Sequence, residues 1–425
     1  MNPKQLYGQY FGGLLMAGTL ILGLGVELVR ADQLTKSEAI RIAIENNPEV
    51  TAARQNWEIA KARLIQARAF PDPELRLEYE ELPGVSNIAG YGERNIGISQ
   101  RVEFPLKWWL RNQVARKRSD AVRMAVFEMT KLEVATRVKT AFDRVLLAQE
   151  IHEYKKRDLR FAQDLLQKAK VRFEAGDVPE LEVLRAEVET GRAENRVTIA
   201  RNDLLVFRAT LNSLLAREAN SPMELNGDLA SSPLEADLEK LKRLAIDLRP
   251  DMLGSELNLA AAQSNKSVAV LSIVPDLNIG VFRQSIRSSI ERNNYWHVTF
   301  GMELPIWAMF RQRGEIVQAK AETALADAER NIVRYQLLLE VESAFLDLKA
   351  AEDRVQLYKD RILQVAERAY EVASLSYQEG KATYLELLES QRALTDTRVE
   401  YAQALFNHRA ALAALERAVG GNLPE

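Results

Sequence analysis

The sequence predicts a mainly α protein with a small β part, in which long antiparallel coiled-coil helices carry two pairs of short strands. Composition is the first reason: Ala, Leu, Glu, Arg and Val dominate, only 7% of residues are aromatic, and Gly and Pro are few. Such a mixture suits long amphipathic helices. Periodicity is the second, because apolar residues recur at alternating steps of four and three over two very long stretches, the 3.5-residue repeat of coiled-coil packing. Duplication is the third. Four short segments switch to period two, and the order helix, strand, strand, long helix, turn, helix occurs twice, about 200 residues apart.

The 425 residues carry 57 basic and 60 acidic side chains, a balance that implies no nucleic-acid partner. There is no Cys. Disulfides, thiolate metal sites, a thiol nucleophile and an acylated N-terminal Cys are therefore excluded. His152, His297 and His408 are far apart in sequence and suggest packing or surface roles rather than a metal cluster. No phosphate loop, nucleophile elbow or HExxH motif is present, so no enzyme and no cofactor are expected.

Residues 1–31 have the pattern of a secretory signal. Lys4 supplies the positive region, Phe11 to Val26 is apolar, and Val29-Arg-Ala31 offers small residues for cleavage before Asp32. That apolar run falls short of the roughly 20 residues of a membrane-spanning helix. The first repeat is expected over 32–220. Thr35 and Glu38 have capping-box spacing, and the helix they open runs to about Phe70 with an interruption at Pro48. After Pro71-Asp-Pro73, Leu75, Leu77 and Tyr79 alternate with Glu74, Arg76, Glu78 and Glu80, and Ile96, Ile98, Val102 and Phe104 repeat the alternation after a Gly-rich loop. These two strands fit a bilayer barrel with a wet lumen or a soluble sheet with one solvated face.

From Pro105 a helix of roughly 65 residues, on the order of 100 Å, is predicted to about Phe173. Its seam is Val134, Val138, Ala141, Val145 and Ala148, then Leu159, Ala162, Leu166, Ala169 and Phe173 after a phase slip near His152. Gly176-Asp-Val-Pro179 turns the chain into a return helix to about Arg217, and 221–236 is a polar connector. The second repeat, 237–419, follows the same plan before a short tail, 420–425. Arg249-Pro250 stands for Asn47-Pro48, Pro275-Asp276 for Pro71-Asp72, and Glu303-Leu-Pro305 for Glu103-Phe-Pro105. A polar loop is expected around Arg292-Asn-Asn294, and a seam of Tyr358, Ile362, Val365, Ala369, Val372 and Ser376 leads to a turn at Gly380.

Four strands cannot close a barrel, since single-chain barrels begin at eight, so several chains must contribute to one. Trp108, Trp109 and Trp307, just past the strand ends, fit either an interfacial aromatic girdle or caps on helix–strand junctions. Glu386 and Glu389 lie three apart on the opening turns after Gly380 and share one helix face. Read alone, they fit a solvated Glu-rich face.

The duplicated plan, the prolines at 71, 105, 275 and 305, the opening Leu34-Thr-Lys-Ser-Glu38-Ala with Asn46-Asn47-Pro48, and the paired tips together resemble the TolC-type outer-membrane efflux family. The resemblance covers the whole mature chain. It implies a homotrimer in which each chain gives four strands to a 12-stranded outer-membrane barrel and its helices to a periplasmic α-barrel. It also implies outer-membrane lipid around the barrel, and a periplasmic adaptor and an inner-membrane pump as partners. On the matching motif, Glu386 and Glu389, with Glu182 in the first repeat, line the periplasmic gate, and the tips at Gly176, Asp177, Gly380 and Lys381 touch the adaptor. Where some members carry an Arg two residues after the second tip glycine, this chain has Ala382, which leaves Lys381 or Arg392 to hold the closed state. The wording Phe70-Pro-Asp-Pro-Glu-Leu-Arg-Leu-Glu and Gly380-Lys-Ala-Thr-Tyr-Leu-Glu is most similar to the heavy-metal cation branch. The expected function is a passive exit duct of a tripartite efflux system. The duct of a type I protein-secretion system is the alternative within the same class, and a periplasmic adaptor or coiled-coil scaffold the alternative from another.

Overall fold

A computed structural model describes residues 34–230, 234–287, 291–304, 306–307 and 310–423. The signal segment 1–31, Ser232-Pro233 and Pro305 lie outside the described residues. The first repeat runs α1 (Lys36–Asn46), α2 (Pro48–Arg68), β1 (Glu74–Glu80), β2 (Glu93–Val102), α3 (Pro105–Val122), a π-helical turn (Arg123–Glu128), α4 (Met129–Glu174) and α5 (Glu180–Leu214). The second runs α6 (Leu238–Leu248), α7 (Pro250–Leu271), β3 (Leu277–Arg287), β4 (Arg292–Met302), α8 (Arg311–Leu357), a π-helical turn (Tyr358–Ile362), α9 (Leu363–Gln378) and α10 (Tyr384–Val419). None of the described helices is long and apolar enough to cross a membrane.

Local chemistry explains the boundaries. Thr35 and Glu38 form the expected capping box, with the Thr35 N–H donating to Glu38 Oε2 at 2.9 Å. Asn47 ends α1 in extended backbone and caps α2 through its Oδ1, with Pro48 at the first helical position. Two details depart from the sequence reading. The helix is regular through His152, and the phase correction sits instead in the π turn at 123–128, where one extra residue rotates the apolar face. There α7 approaches closely, and a Cβ on Gly254 would stand 2.6 Å from the Ala125 methyl. The polar loop expected around Arg292-Asn-Asn294 is strand, because those residues pair with Arg287, Ile286 and Ser285 and extend β4.

One core holds the middle of the molecule. Val134, Val138, Phe142 and Val145 of α4 are buried against α1, α5, α10 and the connector, and Leu241, Leu337, Val341, Leu348 and Leu415 form its second-repeat counterpart. Phe142 is 1% exposed and reaches the connector near Gly227. Phe142→Ala is expected to cost about 3–5 kcal/mol, read as a loss of thermal stability in detergent.

The four strands form one antiparallel sheet in the order β1-β2-β3-β4, and among the described residues no strand pairs with the outer edges of β1 and β4. Register lines up the apolar positions: Leu75 opposes Ile98, Ile98 opposes Val281, and Val281 opposes Val298. On this face Leu75, Leu77, Ile98, Val281, Val298 and Met302 are exposed, Trp296 by 71% and Phe300 by 80%. Residues of the alternate rows, Glu74, Arg76, Asn95 and Thr299 among them, occupy the other face. On that face Phe282 stacks on His297 at 5.3 Å and lies over Gly97, where a Cβ would collide with its ring.

Candidate gate, hairpin tips and channel wall

The two hairpin tips are built alike. Gly176 (φ +81°) and Gly380 (φ +74°) adopt the left-handed conformation that favours glycine. The N–H of Asp177 bonds to the Arg172 carbonyl at 2.9 Å, and that of Lys381 to the Ser376 carbonyl at 2.7 Å, the six-to-one closure of a glycine-stopped helix. Asp177 and Lys381 are exposed, and the Lys381 ammonium pairs with Glu379 at 2.6 Å.

The return helices start differently. Pro179 precedes α5 without a side-chain cap, whereas Thr383 and Glu386 form a full capping box on α10. Glu386 Oε2 accepts from the Thr383 N–H at 2.7 Å and from its hydroxyl at 2.9 Å. These two donors, the backbone one foremost, hold the Glu386 carboxyl below the usual carboxylate range. Glu386 and Glu389 are both exposed, and Glu182 is partly so. Glu386 also borders a groove of about 650 Å³ with Val365, Val372 and Ser376.

Sequence reasoning missed Glu189. It is only 3% exposed on α5, yet its carboxylate accepts from Arg196 at 2.8 Å and from Arg392 of α10. Arg196 also binds the buried Asp158 of α4 at 2.9 Å. The four groups form a charged knot joining the first hairpin to the second, beside a small core of Leu165, Ala169, Ala186, Tyr384, Leu387 and Leu388. Arg172 over the Tyr377 ring, 6.0 Å from its centroid, adds a second cross-hairpin contact nearer the tips. A signal was available: Glu189 falls between Ala186 and Ala193 at steps of three and four, so a carboxylate stands in the apolar seam of α5.

The tryptophans divide. Trp108 is half-buried, stacks on Phe70 at 5.8 Å and donates from Nε1 to the Arg68 carbonyl, which ties the helix–strand junction. Trp109 and Trp307 are 50% and 69% exposed just beyond the strand ends. His408 is buried and lies 3.9 Å from Glu352, and burial pushes its pKa down. Among the described residues no group of three His, Cys, Asp or Glu could hold a metal ion.

The seam predicted along Tyr358, Ile362, Val365, Ala369, Val372 and Ser376 does not face the chain's own core. No residue of α9 is fully buried, and Val365, Val372 and Leu375 are exposed. Leu181, Leu184 and Val188 leave a matching open stripe on α5.

A family profile described as "Outer membrane efflux protein" matches residues 39–217 and again 241–421. The cobalt-zinc-cadmium resistance protein CzcC of Cupriavidus metallidurans is 25% identical over 390 residues, covering 92% of this chain and 91% of CzcC. The pyoverdine export outer membrane protein OpmQ of Pseudomonas putida is 25% identical, covering 90% of this chain and 85% of OpmQ. A solved structure of CusC has a TM-score of 0.75 at 17% identity, covering 91% of this chain and 92% of that one.

Proposed function

Because the chain belongs to the outer membrane efflux protein family, we propose that three copies close one conduit and that Arg392 and the Glu386–Glu389 pair control its periplasmic end. The protein is an outer-membrane efflux channel component whose helices extend into the periplasm. The observation that carries the assembly is the exposed apolar face of the sheet, flanked by two unpaired edges. A hydrocarbon layer satisfies the face. Only closure by further copies satisfies the edges. The open stripe on α9 and the one on α5 then meet between neighbouring copies, as knobs and holes require.

Internal duplication gives the register of that closure. Ile98 pairs with Val281 within the chain. Moving Ile98 onto its second-repeat counterpart and Val281 onto its first-repeat counterpart sets Val298 against Leu77 of the next copy. The chain has no Cys, so the double variant Leu77→Cys, Val298→Cys is expected to oxidise to a covalent trimer. Arg76→Cys with Val298→Cys, on opposite faces, is expected to stay uncrosslinked. Equal crosslinking of both pairs, or of neither, contradicts the closure.

Six carboxylates from three copies of Glu386 and Glu389 attract cations to the periplasmic mouth and repel anions. The Arg392–Glu189 contact keeps α10 against the first hairpin, which is how this chain closes without an Arg at position 382. Lys381 is occupied by Glu379 within its own tip. Likeness to CzcC supports divalent metal cations as cargo, delivered by an inner-membrane pump through a periplasmic adaptor seated on the tips. On this reading the duct is a passive acidic conduit, and selection among cargoes lies elsewhere in the assembly.

A further inference from the structure

The apolar face of the sheet ends at a cluster of arginines. From Leu304 through β4 to Trp296 the outward residues are apolar over about 27 Å of strand, roughly 20 Å of height at a typical tilt. Arg283 stands opposite Trp296 in that last row, beside Ile96 and Leu77. One row beyond, Arg94 stands opposite Tyr79 and Ser285, and Arg287 follows on β3. All three occupy outward-facing rows at the hairpin-loop end, away from the helices. Glu78, Glu80 and Glu93 belong to the alternate rows and face the other way.

Their arrangement leaves positive charge unanswered. Arg94 and Arg287 both lie over the buried Tyr91 ring, at 5.3 and 5.0 Å from its centroid, and Tyr91 packs edge-on against Tyr79 at 5.6 Å. Arg287 is fixed further by a bond to the Ala89 carbonyl at 3.1 Å. Arg94 Nε is buried without a hydrogen-bond partner, and Arg283 is exposed. Among the described residues no salt bridge joins a carboxylate to any of the three, and Glu81, the acidic residue that opens the β1–β2 loop, lies against Gly92. Two guanidiniums held on one ring with no counter-ion form a site that a phosphate oxygen would complete.

We propose that Arg94 and Arg287, held on the Tyr91 ring, together with Arg283, bind the phosphate groups of a phosphorylated lipid headgroup in the outer leaflet. Their position just above the apolar band favours a lipid source over free phosphate, because the acyl chains then lie against Ile96, Ile98 and Val298 while the headgroup meets the arginines. The inference rests on the proposed orientation, with the hairpin loops outside and the helices in the periplasm.

Native mass spectrometry of the full chain in detergent tests it, with diphosphoryl lipid A, the same lipid after phosphatase treatment, and inorganic phosphate as probes. The native protein is expected to retain the phosphorylated lipid about tenfold better than the dephosphorylated one. Arg94→Gln, Arg283→Gln, Arg287→Gln together should erase that preference while the oligomer mass stays unchanged. If the triple variant does not fold, Arg283→Gln alone, remote from the Tyr91 contacts, must still reduce it. Equal retention of both lipids, or displacement of the lipid by millimolar inorganic phosphate, overturns the proposal. So does an undiminished preference in the variants. A native protein that prefers the phosphorylated lipid but is monomeric would leave this inference standing and sink the trimer.

Discussion

Replacing Arg392 by Ala is expected to convert a mostly closed channel into one that conducts readily in planar bilayers. Arg392 spans from α10 to the buried Glu189 of α5, a charged contact between the two hairpins on the tip side of the Lys155–Asp396 and Lys139–Glu416 pairs. Its side chain is 38% exposed, so solvent screens part of the interaction. A charge-assisted bond of this kind is worth about 1–3 kcal/mol, or roughly fivefold to over a hundredfold in the closed-to-open ratio. Glu189 keeps Arg196 after the substitution, so the carboxylate is not stranded and the fold should survive. Arg392→Lys should restore only part of the closure, because a point charge cannot reproduce the planar fork. Wild-type conductance in Arg392→Ala would remove the latch from the account.

Neutralising the mouth is the second large effect. Glu386→Gln with Glu389→Gln is expected to weaken divalent-cation block of single channels by at least about tenfold. Gln is the informative choice because it can still fill the third position of the capping box with Thr383, so the helix start is preserved while charge is lost. The pH dependence follows from the same contacts. Thr383 lowers the Glu386 pKa, so its folded-state charge, and the capping stability linked to it, is complete above the unfolded value near 4.3 and is lost as pH falls through the lower folded value. Block that depends on Glu386 should therefore persist through mildly acidic pH and be lost only as pH falls below the ordinary carboxylate range. An unchanged cation preference in the double variant would rule the ring out.

Much of the architecture was legible because each level of the sequence agreed with the others. Period two marked all four strands, proline and glycine marked most junctions, and the seam of α4 is buried at Val134, Val138 and Val145 as its spacing required. What escaped was three-dimensional phase. A π turn leaves no residue signature, so the break near His152 was placed too late, and strand pairing absorbed the polar run at 292–294 that composition alone marks as loop. The α9 seam illustrates another limit: it is not buried within the chain, and a heptad pattern does not say where a partner helix would come from. At the proposed gate, motif position singles out Glu386 and Glu389 but not their environment. Glu386 turned out to cap α10, and Glu189, which joins the hairpins, was hidden because acidic residues are abundant everywhere else on these helices.

A sheet that exposes Phe300, Trp296 and Val298 while leaving both edges open cannot be finished within one chain. The mass of the detergent-extracted mature protein, by light scattering or native mass spectrometry, tests that claim most directly. Three copies per particle, insoluble once detergent is withdrawn, is the expected result. A monodisperse single copy that remains soluble without detergent would contradict it.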